Sequence, residues 1–488
     1  MRRPHCLRRL EATSVERSNF SLVSSVALML VLSGCSLVPT LKMPDVPVAD
    51  SYRESAPWTP ANPSDSLQRD AWWLVYGDDE LNALQKRLVD NSPDLTAAFA
   101  RYEQVKAVGD QINSGLFPTL VGSGNAQRIR QAESRPLRVL GPTSPDTYGS
   151  YTLNIALDYE FDLWGRIRNQ VASGAASTQA AQADLESARL TLQAQLADTY
   201  IALRGLDREI ALLNDTAAAY AKAHDLITAR RDGGIASGLD VARAQTQVET
   251  TRSQAKQALA QRALLEHAIA TLIGASPSSF VIQPRAIDIV LPQIPVGVPS
   301  TLLQRRPDIA AAQRRIAAAN ASIGVARAAF FPAVTLSALV GYQSSDLGNF
   351  INAPNTFWAI GPSLFLSLFD AGKRKAELAR TQAVLDEAGA RYRSVVLSAF
   401  QQVEDNLALL NHYRTAADSE RSAMEAAQRA LEFATTRYRE GAVNYLEVVS
   451  AQTATLQTRR SALDLETRQR RASVQLIRAL GGGWSATM

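Results

Sequence analysis

The chain has 488 residues and a formal net charge of +4, and its Ala, Leu, Gln and Arg fall in long stretches free of Pro and Gly. That length would hold two or three ordinary domains, but Pro and Gly gather near 37–63, 117–149, 274–300, 331–372 and 481–483 with few breaks far apart, so long helices are favoured. The charge is small for the size and several of its arginines lie in the first seventeen positions, which excludes a polyanion-binding class such as a nucleic-acid binder.

In chain order, the first feature is Arg2, Arg3, Arg8, Arg9 and Arg17 ahead of an apolar run from Leu22 to Leu32, closed by Leu32-Ser33-Gly34-Cys35. This reads as a secretory signal. The run is too short to span a bilayer core of roughly 30 Å, and its end resembles the lipobox of bacterial lipoproteins. Cleavage before Cys35 makes that thiol the acylated first residue. Cys6 leaves with the signal, so the mature chain keeps no thiol for an internal disulfide. Ser36 after Cys35 implies, by the same resemblance, delivery to the outer membrane.

An internal duplication organises the rest. Ser92-Pro93-Asp94-Leu95 precedes Leu116-Phe117-Pro118 as Arg306-Pro307-Asp308-Ile309 precedes Phe330-Phe331-Pro332, with 25 residues from Pro to Pro in both. Phe161-Asp162 has its counterpart in Phe369-Asp370, and Arg230 to Thr246 aligns with Arg437 to Thr453, Asp240 facing Glu447. Each half predicts a helix beginning at Pro-Asp, a β-hairpin and a pair of long helices. In 150–161, Tyr151, Leu153, Ile155, Leu157, Tyr159 and Phe161 alternate with Thr152, Asn154, Ala156, Asp158 and Glu160, the pattern of a two-faced strand. The run 334–343 alternates likewise except at Leu339, and weaker strands are placed from Leu120 and Thr356 by their position in the repeat. Helical pattern then covers about 167–231, 239–273, 373–438 and 446–480, with seams such as Leu196, Leu203, Leu206, Ile210 and Leu213. A helix of about 65 residues is on the order of 100 Å long.

A strand with aliphatic and aromatic residues on one face and acids on the other fits between lipid and a wet lumen. Four strands cannot close a barrel, so several copies must. Two copies give an interior about filled by side chains, whereas three leave room for a passage.

The chain resembles the outer-membrane factor family of TolC-like, OprM-like or NodT-like efflux lipoproteins. The resemblance is carried by Cys35, the Trp72-Trp73 pair with Leu81, the two Pro-Asp to Pro units, the run Leu302-Leu303-Gln304-Arg305-Arg306-Pro307-Asp308-Ile309, and Arg437-Tyr438-x-x-Gly441 with Tyr445-Leu446. It implies an α+β membrane protein built from a duplicated helix, β-hairpin and long-helix-pair unit, four strands per chain in a trimeric twelve-stranded barrel continued by a long α-helical barrel. The expected segments are a signal peptide over 1–34, an N-terminal extension and equatorial segment over 35–90, a first repeat over 91–275 (hairpin about 119–165, helices about 167–273) and a linker over 276–304. A second repeat over 305–482 (hairpin about 333–370, helices about 373–480) and a tail over 483–488 follow. The implied role is the outer-membrane channel of a tripartite efflux system, a passive duct. Its implied partners are two further copies, a periplasmic membrane-fusion adaptor, an inner-membrane pump of RND type and outer-membrane lipid. A type I protein-secretion duct is the alternative, and a periplasmic coiled-coil adaptor the weaker one.

The turns at 232–238 and 440–444 should form the periplasmic tip where the duct closes. Asp240 and Glu447 just beyond them would set six acids in a ring under threefold symmetry, with Leu446 as an apolar constriction and Arg437 and Tyr438 holding the tip shut. The same two acids also suit helix starts. Ser450 and Arg243 stand where the family commonly has a further acid. Asp158 and Glu160 are expected to face the lumen. An enzyme is not indicated: His5, His224, His267 and His412 lack metal or triad spacing and no phosphate loop appears. No cofactor or metal is expected beyond the lipid on Cys35.

Overall fold

A computed structural model describes residues 37–49, 51–54, 69–132, 146–292, 294 and 305–482. The signal peptide, Cys35, Leu302 to Gln304 and the tail from residue 483 lie outside the described residues. The chain divides into two compact units, one taking residues up to Lys42 with Ala107–Ser177 and Arg315–Ala388, the other taking Met43–Lys106, Thr178–Arg314 and Gly389 onward.

The first unit carries an antiparallel sheet of β1 (Thr119–Arg130), β2 (Thr147–Phe161), β3 (Ala333–Ser344) and β4 (Thr356–Phe365), in that spatial order. Each half of the sequence supplies one hairpin, and β2 pairs with β3 to join them, Ile155 opposite Val340 and Asp158 opposite Ser337. At the β2–β3 seam a Cβ on Gly341 would lie 2.2 Å from the Leu153 carbonyl oxygen, so only glycine admits this approach. β2 and β3 extend one to three residues past the alternating runs, and the two weaker strands are present.

Beyond the sheet each hairpin leads into a long helix through the same device. Asp162 accepts the backbone N–H groups of Ile167 and Arg168, and Asp370 those of Gly372 and Arg374. A carboxylate there satisfies donors that the first helical turn leaves free. Arg168 and Arg374 close back on the same carboxylates.

The helices are α1 (Asp79–Asn91), α2 (Pro93–Asn113), α3 (Arg166–Asp232), α4 (Gly238–Leu272), α5 (Pro307–Ala328), α6 (Lys373–Arg439) and α7 (Tyr445–Ala479). The four long ones begin and end within one residue of the helical pattern in the sequence. In the second unit the core gathers Trp72, Trp73, Tyr76, Leu81 and Leu88 against Leu196, Tyr200 and Leu203 of α3, Ile269 of α4, Val403 and Leu407 of α6 and Leu476 of α7. The Trp pair and Leu81 thus anchor the segment before the first repeat.

Beside this core lies a buried ion network. The Asp207 carboxylate accepts from Arg204 at 2.7 Å and Arg262 at 2.6 Å, and Arg204 also reaches Glu80 and the Gln283 carbonyl. Arg262 donates to the Ile282 carbonyl and pairs with Glu266, which in turn accepts the Ile282 N–H. The segment after α4 is therefore clipped to α3 and α4 through its backbone although it has no regular secondary structure.

Candidate functional site

Strand register decides which side chains share a face of the sheet. Leu153 lies beside Gly124 and Tyr342, Ile155 beside Gly122 and Val340, and Leu157 beside Leu120 and Ala338. Trp358 and Ile360 of β4 continue the row past Val340 and Ala338. This face is apolar and open: Leu120 is 68% exposed, Trp358 73% and Ile360 64%. Among the described residues no helix is long and apolar enough to cross a membrane, so the sheet is the surface suited to lipid. Tyr151 and Tyr159 belong to the same face, with Tyr159 edge-on to Phe161 at 5.3 Å. Trp164 instead packs at the strand-to-helix junction, stacked on Phe331 at 4.7 Å and donating its indole N–H to the Pro332 carbonyl.

The opposite face is polar and cross-linked. Ser123 donates to Asn154 at 2.7 Å, Ser337 to Asp158 at 2.7 Å, and the hydroxyls of Thr335 and Ser363 meet at 2.6 Å. Asp158 and Glu160 both lie on it, as alternation requires, and Glu160 receives Arg166 through two bonds of 2.8 and 2.6 Å. Leu339, the break in the alternation, also falls on this face, opposite Ala156.

The helix-turn ends form the second site. Gly234 and Gly441 adopt φ of 76° and 78°, and the residues after them, Ile235 and Ala442, donate back to the carbonyls of Arg230 and Arg437. Such left-handed caps favour glycine and satisfy the last helical carbonyls. The acids beyond the two turns are used differently. Asp240 closes a capping box with Ser237, accepting its hydroxyl at 2.9 Å and its N–H at 3.4 Å while Ser237 accepts the Asp240 N–H, and Arg243 stands 3.7 Å away. Asn444 makes no such side-chain cap. Glu447 remains over half exposed, 4.0 Å from Arg437. Leu446 and Leu239 are exposed, as is Ile235.

The geometry adds two residues that the periodicity did not single out. Tyr445 is buried with Ile227, Ala244 and Val448, its ring 5.3 Å from that of Tyr438. The Arg230 guanidinium lies over the Tyr438 ring at 5.2 Å, a cation–π contact. Burial, helped by the neighbouring Tyr438 and Asp240, pushes the Tyr445 phenol up to about 12. The pairing of Arg230 with Arg437 in the duplication was the available signal, since it places an arginine in the last turn of each long helix.

The model of the family described as outer membrane efflux protein matches residues 84–275 and 298–482. Outer membrane protein OprJ of Pseudomonas aeruginosa is 31% identical over 465 residues, spanning 95% of this chain and 96% of that protein. The toluene efflux pump outer membrane protein TtgC of Pseudomonas putida is 30% identical over 471 residues, 95% of this chain and 96% of its own. Among solved structures, the outer-membrane channel OprN aligns with a TM-score of 0.83 at 30% identity, covering 92% of this chain and all of that one. The open-state MtrE outer membrane channel of Neisseria gonorrhoeae aligns with a TM-score of 0.80 at 27% identity, covering 92% and 98% of the two chains. Matched in both halves of its sequence and along nearly all its length, the chain belongs to the outer membrane efflux protein family and is an outer-membrane channel protein.

Proposed function

We propose that three copies of this chain close a twelve-stranded barrel and act as the passive outer-membrane duct of a tripartite efflux system, fed by an inner-membrane pump of RND type through a periplasmic membrane-fusion adaptor. The two-faced sheet carries this reading. Its apolar face asks for lipid, its polar face for water, and among the described residues β1 and β4 each pair along one side only. An unpaired edge in hydrocarbon leaves a row of unsatisfied backbone groups, and pairing β4 of one copy with β1 of the next removes it. Closure by three also leaves a lumen wide enough for a solute.

Asp240, Leu446, Glu447, Arg437 and Tyr438, joined by Arg230 and Tyr445, form the periplasmic gate of this duct. Cys35 carries the lipid. Relatives named for toluene and antibiotic efflux support small organic molecules as the cargo class. The experiment is reconstitution of the signal-free protein in a planar bilayer with its mass measured in detergent. A trimer that conducts ions is expected, and a monomer without conductance overturns the proposal.

A further inference from the structure

Strand alternation sorts the side chains of the sheet onto two faces, and the apolar face gathers its charge in one place. Along β1 the residues that share the face of Leu120 are Gly122, Gly124, Ala126, Arg128 and Arg130. Among the described strand residues of that face these two arginines are the only charged ones, and no acid accompanies them. Both are exposed, and neither guanidinium has an ion-pair or hydrogen-bond partner among the described residues. Leu120 and Arg130 are ten positions apart, and at about 3.4 Å per residue on a strand tilted by roughly 40° that is about 25 Å, the height of the apolar band of a membrane barrel. An arginine facing lipid is costly at the bilayer midplane and tolerated near the interface. The pair therefore stands at headgroup height, at the end of the sheet away from the helices.

The duplication fixes what lies beside it in the closed barrel. Thr119 pairs with Asp158 as Ala333 pairs with Phe365, and Pro118 matches Pro332, so the two hairpins superpose with Asp158 on Phe365 and Ser123 on Ser337. Within the chain Asp158 lies opposite Ser337. The same step between copies sets Phe365 opposite Ser123 of the partner subunit, and counting along the antiparallel pair sets Trp358 opposite Arg130 of the partner subunit. Both of these fall on the lipid face, as a correct register requires. Residues so opposed have Cβ atoms about 5 Å apart, within reach of a cation–π contact. On the other flank Gly149 lies opposite Arg128, and a Cβ on it would be 2.8 Å from the Tyr151 ring, so that ring fills the place beside Arg128. In the copied strand β3 the two arginine positions are Tyr342 and Ser344, so the basic pair occurs once per copy, at the seam.

We propose that Arg128 and Arg130, flanked by Tyr151 and by Trp358 of the partner subunit, bind the phosphate of an anionic glycolipid in the outer leaflet, one site at each subunit seam. The proposal rests on the barrel closure proposed above. Guanidinium forks match phosphate oxygens through paired hydrogen bonds. Side chains two positions apart on one strand face start about 7 Å apart, so both arginines reach a single phosphate group. The rest of the surface commits the site to a lipid instead of a free anion. Below the arginines, Gly122, Gly124 and Ala126 leave a shallow trough between the larger side chains of Leu153 and Ile155 on β2 and those of Leu364 and Ile360 of the partner subunit. An acyl chain hanging from the bound phosphate lies along that trough.

The test is native mass spectrometry of the detergent-solubilised protein titrated with diphosphoryl lipid A. Uptake of one lipid per seam is expected, and Arg128→Gln/Arg130→Gln should weaken it by about tenfold or more with the trimer retained. Undiminished uptake by that variant overturns the site. On the unaltered trimer, lipid A stripped of its phosphates should bind no better than the variant binds the intact lipid, and equal binding of the two lipids overturns phosphate recognition. A large excess of inorganic phosphate should leave the lipid in place, and displacement by it overturns the lipid as the ligand. Independently, Arg130→Cys/Trp358→Cys should link neighbouring copies on mild oxidation, and a trimer that stays unlinked overturns the seam placement. A protein that is monomeric throughout overturns the barrel reading itself, whereas a trimer blind to the phosphates overturns this proposal alone.

Discussion

Asp207 is a fully buried carboxylate at the centre of the ion network in the helical unit. Its side chain is 1% exposed and it answers two guanidinium groups and the Arg285 N–H. Removing the carboxylate charge leaves Arg204 and Arg262 buried against each other, and breaking a buried ion pair by deleting one partner typically costs about 3–5 kcal/mol. Asp207→Asn is therefore expected to lower the thermal midpoint of the trimer and to open the tryptic site at Arg285, and an unchanged midpoint with a protected Arg285 would contradict it. None of this was legible in the sequence. Arg204, Asp207, Arg262 and Glu266 lie on two helices and meet only when α3 and α4 pack, and they look like ordinary charges on long polar helices when read along the chain. The expectation at Cys35 is of another kind, because a processing signal is a local pattern that is read without a fold.

Among elements, legibility followed side-chain size. β2 was plain because six large apolar residues alternate with polar ones, whereas β1 was faint because Gly122, Gly124 and Ala126 occupy the outward face where size would have announced the period. The long helices were plain for the opposite reason: few residues interrupt them, and glycine or proline marks each turn. The tip turns were legible in position but not in chemistry. Two acids aligned in sequence receive unequal roles since only the first has a serine three residues before it to complete a capping box. The burial of Tyr445 was hidden because a helix end on a tip reads as solvent-exposed.

Its phenol has a pH consequence with a definite sign. The folded value, raised to about 12, exceeds the unfolded value near 10, so its contribution to tip stability is complete below about pH 10 and lost as pH rises through 12. The Tyr220 phenol, also raised to about 12 by burial, acts in the same window. Channel conductance should rise between pH 10 and 12 as the tip loosens, and Tyr445→Phe should shift that rise upward. A variant titrating like the unaltered protein would remove Tyr445 from the proposed gate.

At the scale of the whole molecule, threefold assembly turns each residue into a ring, and the two acids should respond separately. Glu447→Gln loses an exposed pair worth about 0–1 kcal/mol, so cation preference should fall with little change in stability. Asp240→Ala breaks a capping box, costing about 1 kcal/mol at each helix start, and should raise the leak at neutral pH. Single-channel selectivity and closed-state current distinguish the two, and equal effects from both would mean that neither acid has a distinct place in the proposed gate.

The polar face of the sheet bears on traffic as well as on closure. Four pairs of its polar groups are joined to each other: Ser123 with Asn154, Ser337 with Asp158, Thr335 with Ser363, Glu160 with Arg166. A solute sliding past finds wetted groups whose hydrogen bonds are already made, so it gains little by stopping. Lining the duct proposed above, such a wall would be non-adhesive and would let chemically unlike cargoes pass at short residence times, leaving the choice among them to whatever loads the other end.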